Sequence, residues 1–256
     1  MIHPSAVIDA DCEIAEGVTI GPFSVIGAGV KIGRGTSVAS HVVIQGKTTI
    51  GEENTIFQFS SIGEIPQDKK YSGEETLLTI GDRNIIREYA TIHRGTAQDQ
   101  GLTSIGNDNL LMAYTHVAHD CMLEDHIIMS NGASLAGHVD IGDYAILSGF
   151  TLVHQFCHIG AHSFSAMGTA INRDVPPYLL VSGSPAVPRG VNSEGLKRSG
   201  FDAETVRLIK DAYKLLYHSG LKLGEAAEQI AGLAGGFPQL AVMAEFLENS
   251  RRSIVR

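Results

Sequence analysis

Residues 20–38 read IGPFSVIGAGVKIGRGTSV. Ile20, Ile26, Ile32 and Val38 stand six apart, and glycine follows each of the first three. The phase extends backwards to Ile14, Ile8 and Ile2, and forwards through Ile44, Ile50 and Ile56 to Ile62. It returns in phase at Ile80, Ile86 and Ile92. After a one-residue slip it runs from Ile105 through Leu111, Val117, Leu123, Met129, Leu135, Ile141, Leu147, Val153 and Ile159 to Ile171. Along this course only Ser165 is not aliphatic. In the first and last parts of the run the fourth place after the aliphatic is small or β-branched, as at Ala6, Cys12, Val18, Ser24, Thr115, Cys121, Ala133 and Cys157.

A period of six with two inward places describes a parallel β-helix. Each hexad supplies one short strand, and three hexads close an 18-residue coil shaped like a triangular prism. The aliphatic fills the centre, the small residue fits beside it, and glycine or a polar residue makes the corner. All three cysteines, Cys12, Cys121 and Cys157, fall on the small inward place, so they read as packing residues.

The composition agrees with a thin-walled, regular fold: 29 glycines, no tryptophan and 6% aromatic residues in 256. The net charge is −9, with Asp and Glu in excess before residue 186 and Lys and Arg slightly in excess after it. That balance excludes a general nucleic-acid surface and allows a local anion site near the junction. The N-terminus MIHPSAVIDADCEI lacks a basic start and an apolar run, so no signal peptide is expected. No stretch suits a membrane span. Three scattered cysteines fit a reducing cytoplasm.

Two segments interrupt the hexads, residues 63–79 and residues 94–104. Loops thrown from a rigid scaffold are common carriers of function. After the stretch PPYLLVSGSPAVPRG the pattern becomes helical, with Val206, Ile209, Tyr213, Leu216 and Tyr217 at helical spacing and a stop at Gly220. LKLGEAAEQIAGLAGG and FPQLAVMAEFLENS read as two further short helices. The expected organisation is therefore a β-helix over 1–189 and a small helical domain over 190–256.

Hexads three apart stack one above the next, about 4.8 Å away. This places His119, His138 and His154 along one edge, with Gln155 beside His154 and His93 one coil earlier. Three readings fit such a column: solvated surface histidines, metal ligands, or an acid–base site. Trimeric β-helix carbonic anhydrases hold zinc through three histidines, but through a pair five apart, a spacing absent here. His116 is expected at the preceding corner. Asp120 follows His119 directly, and strand neighbours face opposite ways, so Asp120 is not expected to orient it.

The hexads, together with QDKKYSGE, TIHRGT, THVAHDC, LAGHV, LVHQFCHIGAHS, DVPPY and GVNSEGLKRSGF, resemble the acyl-[acyl-carrier-protein]–UDP-N-acetylglucosamine O-acyltransferases of lipid A synthesis. The likeness covers essentially the whole chain. It implies a left-handed β-helix, a homotrimer with active sites between subunits, and no cofactor or metal. It further implies transfer of an R-3-hydroxyacyl chain from acyl carrier protein to the sugar 3-hydroxyl. The residues alone leave a 3-amino acceptor equally open.

By the same likeness His119 is the general base and the Gly137 N–H the oxyanion donor. Asp68, Lys70, His116, His138, His154 and Gln155 match substrate contacts in the cleft. Asn192, Glu194 and Arg198 match the nucleotide-binding segment. A second arginine that often follows in the family is Ser199 here. Met167 matches the residue that limits acyl length, which implies a chain on the order of ten carbons. A related amino-sugar N-acyltransferase would carry a different domain ahead of the hexads, which here begin at residue 2. A zinc lyase predicts bound metal. A purely structural solenoid would not need two loops, a histidine column and a helical tail.

Overall fold

The computed structural model describes residues 1–256. Its hexads form two-residue strands that wind through three sheets of nine, eight and ten strands. The first face runs from Val7–Ile8 to Ala170–Ile171, the second from Glu13–Ile14 to His158–Ile159, and the third from Thr19–Ile20 to Val187–Val191. All pairings are parallel until the last, where Leu179–Ser182 meets Val187–Val191 antiparallel.

The register explains the period. On the first face Ile26 pairs with Ile44 and Ile44 with Ile62, so identical places in successive coils stack. That ladder continues inside the prism through Ile92, Val117, Leu135 and Val153, and all its members are buried. The small inward places are often polar, and they bond to the coil above. Ser24 Oγ donates to Ala39 O (2.7 Å) and Thr36 Oγ1 to Gly51 O (2.9 Å). An interior ladder of Asn54, Asn84 and Asn109 does the same, Asn54 Oδ1 accepting from both the backbone and the side chain of Asn84. These buried polar groups thereby find partners, as burial requires.

The corners differ from the expectation of glycine or polar residues. Phe23, Phe59, Tyr89, Tyr114, Tyr144 and Phe156 all hold left-handed φ between 59° and 66°. Such residues rarely adopt that conformation. Here their rings stack from coil to coil, as Phe59 on Tyr89 (5.1 Å) and Tyr89 on Tyr114 (4.8 Å) do. Stacking offsets part of the backbone strain.

The two excursions are shorter than their sequence gaps. Leu77–Ile80 and Leu102–Ile105 are four-residue strands that pair with each other, and Leu77–Ile80 also pairs with Lys47–Ile50. Only residues 65–76 and 94–101 leave the coil. Arg94 ties the two loops together, donating to Gly63 O (3.1 Å) and to the Tyr71 hydroxyl (3.1 Å).

Four helices follow: α1 (Ser193–Arg198), α2 (Ala203–Tyr217), α3 (Leu223–Leu233) and α4 (Pro238–Glu248). The short α1 escaped the periodicity, since six residues are too few to show it. Asn192 caps it through its side chain, and Asp202 caps α2. The chain end then returns to the prism: Ile254 bridges to Asp174, and Ile254 and Val255 are buried in the same continuous core as the hexads.

Candidate active site

His119 follows the strand His116–Val117, at the corner where the first face turns into the second. Its side chain is only 13% exposed. The Nδ1 atom lies 2.8 Å from Asp120 Oδ2. This overturns the expectation from strand alternation. Asp120 belongs to no strand; its φ of 57° is left-handed, and the turn brings its carboxylate back against its neighbour.

Asp120 is buried and well held. Thr96 donates its N–H to Oδ1 (2.9 Å) and its hydroxyl to Oδ2 (2.7 Å), while the Asp120 N–H donates to Thr103 Oγ1 (2.8 Å). Burial alone would raise this carboxyl, but the bonds from His119 and Thr96 outweigh it and keep the group below its ordinary range. An ionised carboxylate only accepts, so the proton of neutral His119 belongs on Nδ1 and Nε2 presents a lone pair.

Gly137 packs against the Cε1–Nε2 side of that ring. A Cβ there would lie 2.5 Å from His119 Cε1 and 2.8 Å from Nε2, so the imidazole occupies space that only glycine leaves. The Gly137 N–H makes no hydrogen bond within the chain. An imidazole and a glycine with an unspent N–H thus stand side by side. His138 packs edge-on to His119 (5.1 Å between ring centres), stacks on Phe156 (4.3 Å) and bonds Asp99 Oδ2 through Nδ1 (2.7 Å).

The structure gathers Asp68, Lys70, His119, His138 and Gln155 around one cleft of about 730 Å³. Gln67, Gln98, Asp99, Phe156 and Arg251 line it too, and none of these was singled out from sequence. Asp99 and Gln98 fall in the second loop, which the sequence marked only as an interruption. Arg251 comes from the chain end, where no pattern pointed to the site. Asp68 also makes a local turn, accepting the Lys70 N–H (2.9 Å).

The other residues lie elsewhere on the chain. His116 stands on the outer side of a strand, not at a corner, and bonds Thr91 Oγ1 through Nδ1 (2.7 Å). His93 is buried against it, ring centres 5.0 Å apart, so the column does not wholly face outward. Burial lowers the His93 pKa to about 4 and lowers that of His116 too. His154 lines a separate groove with Leu152, Ala170 and Asn172. Asn192, Glu194 and Arg198 line a pocket of about 350 Å³ with His126, Tyr144 and His162. Met167 is 77% exposed.

The remaining titratable clusters carry less. Cys121 and Cys157 are buried, and burial pushes both thiols up to about 12, which makes them inert as nucleophiles. His119, Asp120 and His138 bring possible ligand atoms within 4.8 Å of one another. However, Asp120 Oδ2 is already shared between Thr96 and His119.

Comparison with known proteins decides the family. The chain is 54% identical to an acyl-[acyl-carrier-protein]–UDP-N-acetylglucosamine O-acyltransferase of Stutzerimonas stutzeri, covering all of this chain and 99% of that one. It belongs to the UDP-N-acetylglucosamine O-acyltransferase family. Its fold, a parallel β-helix of short hexad strands followed by a few C-terminal helices, matches solved members of that family. The family's second-domain profile, described as UDP N-acetylglucosamine O-acyltransferase domain 2, matches residues 174–255, and a bacterial transferase hexapeptide profile matches 11–46. The solved structure of the Francisella novicida UDP-N-acetylglucosamine acyltransferase superposes with a TM-score of 0.98 at 47% identity, over all of this chain and 94% of the other. The Moraxella catarrhalis O-acyltransferase gives 0.98 at 45%, over 100% and 99%. No helix of this O-acyltransferase family member is long and apolar enough to cross a membrane.

Proposed function

We propose that this chain transfers an R-3-hydroxyacyl group from acyl carrier protein to the 3-hydroxyl of UDP-N-acetylglucosamine, the first step of lipid A biosynthesis. The observation that carries the mechanism is His119 packed against Gly137, whose N–H is unspent, with Nδ1 of the imidazole fixed by Asp120.

A sugar hydroxyl is a poor nucleophile until a base takes its proton. Nε2 of His119 takes it as the oxygen attacks the thioester carbonyl. The new C–O bond forms and the carbonyl electrons move to oxygen. The Gly137 N–H receives that oxyanion. Collapse breaks the C–S bond, and the imidazolium returns its proton to the departing thiolate. No covalent enzyme intermediate is needed, in keeping with the inert cysteines. His138 and Gln155 border the reacting atoms. Asp68 and Lys70 meet the sugar, and Asn192, Glu194 and Arg198 the nucleotide.

These groups occupy separate sites on one chain, which supports a homotrimer whose neighbouring subunits complete each site. The division into a β-helix over 1–189 and a helical domain over 190–256 then gives each segment a role, the first carrying the base and the second the nucleotide contacts. A cytoplasmic setting fits three free thiols. No cofactor enters any step.

The test is mass spectrometry of products from UDP-N-acetylglucosamine and a panel of hydroxyacyl carrier proteins. An O-acylated sugar nucleotide is the expected product, and a His119→Ala variant should form almost none while keeping its fold. Full activity in that variant would defeat the mechanism.

A further inference from the structure

Asp174, in the DVPPY stretch, is fully buried yet takes no part in the chemistry above. A buried carboxylate is costly unless it is bonded. Its Oδ1 accepts the His158 N–H (2.9 Å). Its Oδ2 accepts the Ser250 hydroxyl (2.7 Å), the Arg251 N–H (2.9 Å) and the Arg252 N–H (3.1 Å). The Asp174 backbone also bonds Ser253 O and the Val255 N–H, both at 2.9 Å. The carboxylate therefore clamps the end of the chain onto the coil.

The clamp has a consequence in the cleft. Arg252 Nη1 donates to the carbonyl of Gln155 (3.3 Å). Arg251 projects into the space it shares with His119, His138 and Lys70. Its guanidinium has one contact, Nη1 to Asp140 Oδ2 at 3.4 Å, and its side chain is 66% exposed. Most of its fork of donors is unspent. Lys70 and Arg251 are the cations of a cleft that also holds the carboxylates of Asp68 and Asp99.

We propose that Arg251, set in the reaction cleft by the Asp174 clamp, is a binding residue for a substrate phosphate. A guanidinium matches phosphate oxygens two at a time. The inference rests on the proposed acyl transfer, whose two substrates both carry phosphate: the diphosphate of the sugar nucleotide and the phosphodiester of the carrier's pantetheine arm. The diphosphate is the nearer source. It hangs a few bonds from the hydroxyl that His119 deprotonates, whereas the phosphodiester lies at the far end of a long arm. Asp174 is a positioning residue, acting only through the segment it holds.

The experiment is steady-state kinetics on full-length Arg251→Gln and Arg251→Lys variants, with UDP-N-acetylglucosamine and the hydroxyacyl carrier protein varied independently. Losing a charge-assisted contact to substrate should raise KM about tenfold. The effect should exceed any change in kcat, and lysine should recover part of it. A rise in KM for the sugar nucleotide supports the diphosphate, and a rise for the carrier protein supports the phosphodiester. Ser250→Ala, which removes one bond of the clamp, should raise the same KM more weakly. If wild-type enzyme turns over but Arg251→Gln keeps both KM values, or loses only kcat and melting temperature, the assignment is overturned. If wild-type enzyme shows no turnover, the acyl-transfer reading fails and takes the assignment with it.

Discussion

His119 Nδ1 and Asp120 Oδ2 are joined by a 2.8 Å hydrogen bond, although the residues are consecutive in the chain. The left-handed corner at Asp120 makes this possible, and Thr96 from the second loop locks the carboxylate in place. In the proposed mechanism the pair is an orienter and a base, built from one turn of backbone. Asp120→Asn should therefore hold the imidazole in the wrong tautomer or leave it loose. The expected loss in kcat is about 10²–10⁴-fold, as for other histidine bases deprived of their carboxylate. Because the Asp120 carboxyl is held below its ordinary range, it stays ionised across the working pH. A kcat within twofold of wild type in Asp120→Asn would sink this role.

The contact between Gly137 and His119 yields a sharper prediction. Gly137 has no left-handed φ, so alanine suits its backbone, yet the added methyl would strike the imidazole. The ring must move, and a misplacement near 1 Å can cost about 100-fold in rate. Gly137→Ala should thus lose activity on that scale while its circular dichroism and melting temperature stay close to wild type. Retained activity would show that the ring has other room, and that His119 is not confined as described.

Stability should depend on pH through His93. Burial holds its pKa near 4, against 6.5 for a free histidine, with His116 and His119 pushing in the same direction and Glu64 opposing them. Between these values the unfolded chain binds a proton that the folded chain refuses. Stability from this group is complete above pH 6.5, falls as pH drops towards 4, and then levels off. Per pH unit in that window the folding constant should change about tenfold for one such group. His116 adds in the same sense. Urea titrations at successive pH values would measure the slope. A His93→Gln variant should flatten it, and an unchanged slope would remove His93 as the cause.

Much of this arrangement was legible in the hexads, and the reason is physical. A prism core admits only one aliphatic and one small residue per strand, so packing writes itself into the spacing. Ile26, Ile44 and Ile62 are readable because each touches its copy one coil away. The corners obey a weaker rule. Phe59 and Tyr89 tolerate left-handed φ by stacking on each other, a relation between residues 30 apart that no local pattern records. Asp120 was misjudged for the same reason: alternation holds in strands, and it sits in a turn. Arg251 was invisible because its place depends on Asp174, far away in sequence. The roles proposed for His119 and Gly137 rest on family likeness, since the spacing by itself leaves surface, metal and acid–base readings open.

Met167 provides the last test. It follows the strand Phe164–Ser165, and its side chain stands 77% exposed on an edge shared with Phe150 and Gly149. Phe150 and Leu152 nearby are also largely exposed, so the edge presents an apolar strip that a single chain leaves uncovered. An acyl chain lying along that strip would end against the thioether. Each methylene accommodated or refused in an apolar groove is worth about 1–3 kcal/mol. Met167→Gly removes the obstruction, and should raise kcat/KM for longer hydroxyacyl donors relative to shorter ones by about tenfold or more per refused methylene pair. Competition between donors of about ten and about fourteen carbons, read by product mass, measures the ratio directly. The glycine variant leaves His119, Gly137, Asn192, Glu194 and Arg198 in place, so its turnover of the shorter donor serves as the internal reference. A ratio unmoved from wild type would mean that the chain ends elsewhere, and that Met167 only covers the edge of the prism.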